Sequence, residues 1–414
     1  MGQGTRPGRR HHLDRGAPAR RQAHRAGDRR TRRRPAQRGR SSADRLRGRE
    51  GRGPRPDRHA DRRLGTGAPP RRRHRLRARH RSLGAVGVQI AVLGAGAWGT
   101  ALALAFHGPH RVTLWGYEAE HVAELRAQRE NRRYLPGVAL PEDLEVTASI
   151  DEAAAEADLH LVVTPLIGLR ATVRALQRVR PGTPLVWACK GLEAGSGRLP
   201  HEIVEEELGQ DAPCGVLTGP SFAAEVARGQ PTAITLASRD AAFVEHWLPV
   251  LHQPLLRVYA NTDLVGAEIG GALKNVMAIA AGVSDGMGFG LNARAALITR
   301  GLAEIARLAV ALGGRPETLM GLAGMGDLIL TCTGDLSRNR RVGLALAQGK
   351  TLDVILRELG HVAEGVPTAR EVAALAARHG VEMPLCEAVD ALLHRGLSAA
   401  EAVDRLLARD PKHE

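Results

Sequence analysis

The chain has 414 residues, with 59 Lys and Arg against 44 Asp and Glu, a formal net charge of +15. That charge is uneven: residues 1–87 hold 29 Arg, no Lys and 6 acids, whereas the rest holds 30 bases and 38 acids. The excess that suggests a nucleic-acid binder therefore belongs to one segment, which excludes that class for the mildly acidic remainder.

The first segment lacks Phe, Trp, Tyr, Ile and Cys, and only 17 of its 87 residues are apolar. So little apolar surface beside so much like charge cannot offset chain entropy, and residues 1–87 are expected to be disordered. A nucleic-acid tail would mix Lys with Arg and carry rings for stacking. A transit peptide would be Ser-rich and poor in acids. Neither description fits. Residues 82–110 form a 29-residue run without charge behind the basic cluster 71–81, the pattern of a secretory signal or a membrane span. Glycines at 94, 96 and 99 give that run another use, and no integral membrane segment is expected. The Arg, Gly, Pro, Ala and His bias matches GC-rich DNA read out of frame, and the remainder also prefers Arg to Lys, 26 to 4. A start at Val86 or Val88 is the expectation that follows.

Residues 88–414 are long enough for two domains of roughly 100–200 residues each. Gln89–Leu93 reads as a short strand that meets Gly94-Ala-Gly96-Ala-Trp-Gly99, and residues 100–106 read as a helix. Gly94 suits the tight turn, Gly96 lets backbone approach a pyrophosphate, and Gly99 lets helix pack on strand. Three glycines in a small-residue turn can also be mere packing. The context favours a dinucleotide: strands are expected at Arg111–Trp115, 159–164 and 185–188, with 216–217 and 233–236 extending the pattern, and a helix at Leu166–Val179. This is an α/β, Rossmann-like, doubly wound parallel sheet. Glu118 stands one position late for the adenosine ribose and no Arg sits at that turn, so NAD and NADP both remain open.

Strand-like runs cease near Gly270. Ile298, Leu302, Ile305, Ala309 and Leu312 form a stripe at 3.6 spacing with Arg300, Glu304 and Arg307 off it. Helices are also expected at 372–378 and 385–395. The domain division is 88–270 for dinucleotide binding and 271–414, all-helical, for substrate.

Cys189, Cys214, Cys332 and Cys386 form no C-x-x-C pair and read as reduced, buried thiols of a cytoplasmic protein. Four lysines occur after residue 87: Lys190, Lys274, Lys350 and Lys412. Lys350 and Lys412 read as solvated charge. Lys190 follows a buried strand, where open sheets place ligands. Lys274 sits in a glycine-rich helix start, either snorkelling or lowered towards neutrality as a general acid or base. The turn Gly219-Pro-Ser221-Phe offers a hydroxyl and free N–H groups to an anion, or simply caps a helix. Asp327 and the cluster Ser337-Arg338-Asn339-Arg340-Arg341 fit a phosphate monoester; a solvated basic loop is the plain account of Arg340 and Arg341. No ligand cluster for a metal occurs.

The blocks GAGAWGTALA, NRRYLPG (131–137), CKGLE, GPSFAAEV, GALKNVMAIAAGVSDGMGFGLNARAALITRGLAE, GMGDLILTCTGDLSRNRR and VAEGVPTA run in order from residue 89 onward. Together they resemble bacterial-type NAD(P)-dependent glycerol-3-phosphate dehydrogenases; residues 1–87 have no counterpart there. The resemblance implies Gly94, Gly96, Gly99, Ala97, Trp98 and Tyr117 around the cofactor, NAD or NADP, with Ala223, Val362 and Glu364. It implies Lys190 on both cofactor and substrate, Gly219, Ser221, Asp327, Ser337 and Asn339 on substrate, and Arg338 on both. Lys274 matches the family's proton acceptor. The implied reaction interconverts dihydroxyacetone phosphate and sn-glycerol 3-phosphate for phospholipid synthesis, in the cytoplasm, in a homodimer. A related 3-hydroxyacid dehydrogenase, which also pairs a Rossmann domain with a G-x-x-K-N helix, is the alternative.

Overall fold

The structure, a computed structural model, describes residues 87–360 and 363–408. The expected disorder of the Arg-rich segment falls on residues 1–86, outside that range, as do Val362 and Lys412.

Strands and helices first alternate: β1 (Gln89–Leu93), α1 (Ala97–Phe106), β2 (Arg111–Trp115), α2 (Ala119–Gln128), β3 (Glu145–Thr147), α3 (Ile150–Ala154), β4 (Leu159–Val162) and α4 (Leu166–Val179). They continue as β5 (Leu185–Trp187), α5 (Pro200–Leu208), β6 (Cys214–Thr218), α6 (Ala223–Ala227), β7 (Thr232–Ala237), α7 (Ala241–Leu251) and β8 (Leu256–Asn261). Among the described residues only helices follow: α8 (Leu264–Gly286), α9 (Gly290–Ala311), α10 (Pro316–Leu319), α11 (Asp327–Thr333), α12 (Arg338–Ala347), α13 (Leu352–Leu359), α14 (Gly365–Arg378), α15 (Pro384–His394) and α16 (Ala399–Leu407).

One sheet runs in the order β3-β2-β1-β4-β5-β6-β7-β8. Central strands such as β4 are buried along their whole length, as expected where helices cover both faces. The order reverses direction between β1 and β4, and there the carboxyl ends of parallel strands open a crevice. The turns carrying Gly94, Thr164, Lys190 and Gly219 all leave the sheet at this edge.

Strand spacing predicts a parallel sheet throughout; instead β6 and β7 pair antiparallel, and β8 runs parallel to β7. The short helix between them explains the reversal. α6 packs at the rim against α1, through Val226 and Ala101, so it never crosses the sheet face and the chain re-enters from the same edge.

The helical part is built on α8, in which 19 of 23 residues are buried. Among the described residues it is the one helix long and apolar enough to cross a membrane, yet 94% of that stretch is buried in the fold. It is a core helix. The charge-free run considered above supplies β1, the glycine turn and α1 instead. Of the expected α9 stripe, Ile305 and Ala309 are buried while Ile298, Leu302 and Leu312 pack partly against the same core. Glu304 departs from expectation. It is 2% exposed because its carboxylate accepts the N–H groups of Leu385 and Cys386 at the start of α15. Burial pushes its pKa up to about 7, and those N–H groups pull it back.

Candidate active site

Around the end of β1 the glycines have separate mechanical duties. Gly94 holds φ +129°, a conformation L side chains avoid, and a Cβ there would lie 2.7 Å from the Val163 carbonyl. A Cβ on Gly99 would strike the Gly94 carbonyl oxygen at 1.8 Å, so α1 can lie on this turn only without one. At Gly96 a Cβ would meet nothing within 4 Å, and α1 begins there with no side chain capping its N–H groups. The turn offers open space and free donors at the crevice. Ala97 opens α1, and Trp98 shares a small apolar cluster with Ala223 of α6. Thr164, after β4, buries a hydroxyl that has no hydrogen-bond partner. Tyr117 is 86% exposed and meets Trp115 in a T-shaped contact, at 6.3 Å between ring centres.

Across the crevice, three charged side chains converge. Lys190 lies three residues past β5. Lys274 stands in the middle of α8, not at a helix start as its glycine-rich surroundings suggest. A π-helical turn, Leu322–Gly326, delivers Asp327 between them. Lys190 Nζ donates to Asp327 Oδ2 at 2.6 Å and Lys274 Nζ to Oδ1 at 2.5 Å. Lys274 also donates to Thr331 Oγ1 at 3.1 Å, and that hydroxyl donates to the Asp327 carbonyl oxygen at 2.6 Å. Asp327 is fully buried, while the two lysines keep 13% and 12% of their side-chain surface. Burial lowers the Lys274 pKa to about 8; Asp327 pulls it upward and Lys190 pushes it down again. Such a lysine exchanges its proton near neutral pH.

Small residues make this convergence possible. A Cβ on Gly271 would sit 3.0 Å from Thr218 Oγ1 and 3.5 Å from Lys190 Cδ, and one on Gly270 would sit 2.5 Å from the Ala323 carbonyl oxygen. α8 therefore reaches both the end of β6 and the π turn. Ser221 does not cap α6: its hydroxyl donates to Gly219 O at 3.1 Å, and the cap position is Phe222. Pro220 beside Gly326 and Phe222 beside Gly334 hold this turn against the Asp327 segment.

A second network touches the first through α8. Asn339 Nδ2 donates to Asn275 Oδ1 at 2.9 Å, Asn275 Nδ2 to Glu364 Oε2 at 3.3 Å, and Gly365 N to Asn339 Oδ1 at 3.0 Å. Burial raises the Glu364 pKa, and the charges of Arg338, Lys190 and Lys274 oppose that rise. Arg338 is exposed. Ser337 is buried, its hydroxyl accepting the Arg340 N–H at the start of α12. Arg340 is not a solvated loop residue: its guanidinium donates to Asp285 Oδ2 at 2.9 Å with 12% of its side chain exposed. Arg341 is exposed. Lys350 pairs at the surface with Glu358 at 2.6 Å.

Sequence reasoning missed Thr331, Asn275, Thr218 and Thr164. Two had a signal. Thr331 stands four residues after Asp327, one helical turn along the same face, and Asn275 is the immediate neighbour of Lys274. The two buried hydroxyls, Thr164 just past β4 and Thr218 at the end of β6, had none, because a Thr at a strand end is common.

The family described as NAD-dependent glycerol-3-phosphate dehydrogenase N-terminus matches residues 89–244, and its C-terminus counterpart matches residues 263–404. The glycerol-3-phosphate dehydrogenase [NAD(P)+] of Aromatoleum aromaticum is 75% identical over 328 residues, 79% of this chain and 100% of that protein. The enzyme of the same name from Dechloromonas aromatica is 62% identical, over 79% of this chain and 99% of that one. Among solved structures, glycerol-3-phosphate dehydrogenase from Coxiella burnetii matches with a TM-score of 0.75 and 44% identity, over 78% of this chain and 99% of that one. The strand order, the glycine turn and the lysine pair thus occur in a chain that belongs to the NAD-dependent glycerol-3-phosphate dehydrogenase family.

Proposed function

We propose that this chain interconverts dihydroxyacetone phosphate and sn-glycerol 3-phosphate with NAD(P)H, and that Lys274 is the proton donor and acceptor. The observation that carries this assignment is the buried trio Lys190, Asp327 and Lys274 at the crevice where the glycine turn opens. The residues present fit a dinucleotide: open space beside Gly96, uncapped N–H groups at α1 and the unpartnered Thr164 hydroxyl supply room and hydrogen-bonding groups. Gly94, Gly96, Ala97, Trp98, Gly99, Tyr117 and Ala223 would hold it, with Lys190, Arg338, Val362 and Glu364 towards the reacting end. When bound, the cofactor supplies or takes the hydride at the substrate's carbonyl carbon.

The protein's own part is charge and proton management. As the carbonyl is reduced, negative charge grows on its oxygen, and protonated Lys274 gives that oxygen a proton. Lys190 adds a second fixed cation, and Asp327 keeps both ammonium groups in place without solvent; preorganised charge of this kind is worth a few kcal/mol. Gly219, Ser221, Asp327, Ser337, Arg338 and Asn339 would orient the phosphate substrate, with the exposed Arg338 guanidinium as the cation for its phosphate. Reduction needs the protonated lysine, so its rate should fall as pH rises through about 8, and oxidation, which needs the neutral amine, should rise there.

The product suits glycerophospholipid synthesis. Four free thiols, three of them buried, support a reducing compartment, the cytoplasm. The exposed Phe289 and Leu291 at the start of α9 support a homodimer. The domain division at residue 270 is proposed as a functional one, although the last strand ends at Asn261 and α8 starts at Leu264.

The test is an absorbance assay with dihydroxyacetone phosphate and NADH or NADPH. Lys274→Ala should lose about a thousandfold in kcat while binding coenzyme within about twofold of the parent. Near-normal kcat would remove Lys274 from the chemistry.

A further inference from the structure

We infer that Arg133, held by Glu118, selects between the 2′-phosphorylated and the unphosphorylated coenzyme; this rests on the dinucleotide reading above. Glu118 lies three residues past β2, near where a carboxylate accepts from the adenosine ribose hydroxyl in this fold. It does not stand free, because Arg133 Nη1 donates to its Oε2.

The segments that carry the two partners are both tied to the glycine turn. On the Glu118 side, Gly94 N donates to Trp115 O at 2.9 Å, and a Cβ on Gly116 would sit 3.2 Å from Ala95 Cβ. On the Arg133 side, fully buried Asn131 donates to Ala95 O at 3.0 Å and to Thr100 Oγ1 at 2.7 Å. The Arg133 guanidinium lies over the Tyr134 ring, 5.1 Å from its centre. That ring meets His121 edge-on at 5.1 Å, and His121 Nε2 lies 3.3 Å from Ala95 O. Arg132 is occupied elsewhere, donating to Glu130 Oε2 at 3.1 Å. The NRRYLPG segment, tied to the turn through Asn131, thus supplies the cation that pairs with Glu118.

The two charges favour different ligands. A free Glu118 would accept from a ribose 2′-hydroxyl and repel a 2′-phosphate, whereas a free Arg133 would do the reverse. Paired, and with 50% and 48% of their side chains exposed, they exclude neither. An exposed ion pair is weak and exchanges readily. A 2′-phosphate, with more charge and more acceptor oxygens than the carboxylate, draws the guanidinium to itself. With a hydroxyl there, the pair stays closed. The chain therefore takes both coenzymes, and this pair sets the ratio.

Fluorescence titration of NADH and NADPH into the full chain, in the absence of substrate, reads this directly. The parent should bind both. Arg133→Ala should raise the NADPH Kd about tenfold and leave the NADH Kd within about twofold. Glu118→Gln should lower the NADPH Kd relative to that of NADH, and Arg132→Ala should leave the ratio unchanged. Equal shifts of both Kd values in Arg133→Ala, or a ratio that follows Arg132 instead, would overturn the assignment. A parent that binds neither coenzyme would overturn the dinucleotide reading itself, and this one with it.

Discussion

The turn after β1 and the core helix α8 both depend on glycine, against different neighbours. In the turn, Gly94 bends the backbone, Gly99 avoids the carbonyl of Gly94 only five residues away, and Gly96 faces open space. In α8, a Cβ on Gly282 would strike the Arg340 carbonyl oxygen at 2.1 Å, and one on Gly343 of α12 would strike that of Ile279 at 2.0 Å. These two helices cross backbone to backbone, and the crossing sets Asn339 against Asn275, beside Lys274. Glycines of the turn shape a surface for a ligand; those of the helix bring two parts of the chain together. Within the turn, Gly96 should tolerate a methyl group where a ligand would sit, whereas Gly282 and Gly343 at the helix crossing should not.

Gly343→Ala is therefore expected to show the largest effect, a loss of about 3 kcal/mol or more in urea unfolding. A loss below about 1 kcal/mol would mean the crossing relaxes freely. Next comes Glu304, whose folded-state pKa of about 7 lies above its ordinary 4.5. A raised pKa means the native state holds the proton more tightly. The stability gained from that proton is complete below pH 4.5 and is lost as pH rises through about 7. Glu304→Gln, which keeps an acceptor for α15 but has no proton to lose, should be more stable than the parent above pH 7. The difference should reach up to about 3 kcal/mol and vanish towards acid. A pH-independent difference would contradict the burial argument.

Asp327→Asn removes the anion shared by two lysines and should move the pH limb of reduction from about 8 to lower pH by about one unit. An unmoved limb would assign it to another group. Smallest in stability is Gly96→Ala, within about 0.5 kcal/mol of the parent, although its coenzyme Kd should rise about tenfold if backbone approaches the pyrophosphate there. A Gly96→Ala protein that binds coenzyme normally would end the distinction between the two kinds of glycine.

The same distinction explains what was legible. The strand at Gln89–Leu93, the turn and α1 follow one another within 18 residues, so their pattern shows in a short window. α4 is amphipathic and has the expected bounds, Leu166–Val179. Lys190 and Lys274 stood out as lysines in a chain that prefers Arg. Their connection did not, because Asp327 lies 137 residues from one and 53 from the other. The antiparallel turn at β7 was hidden because β7 is buried along most of its length like its parallel neighbours, and a buried apolar run reads the same whichever way the strand runs. Burial of Glu304 and Arg340 was hidden too, since a charged side chain reads as solvated until a partner is known.

By itself the sequence determined the α/β class, the dinucleotide turn, the family resemblance and the two lysines, because these rest on local geometry and residue chemistry. Only the tertiary structure decided how Asp327 joins the lysines, why the Lys274 pKa falls to about 8, and that Arg133 meets Glu118. Desolvation and charge pairing depend on which distant segments become neighbours, and close backbone crossings at glycine fix those neighbours here.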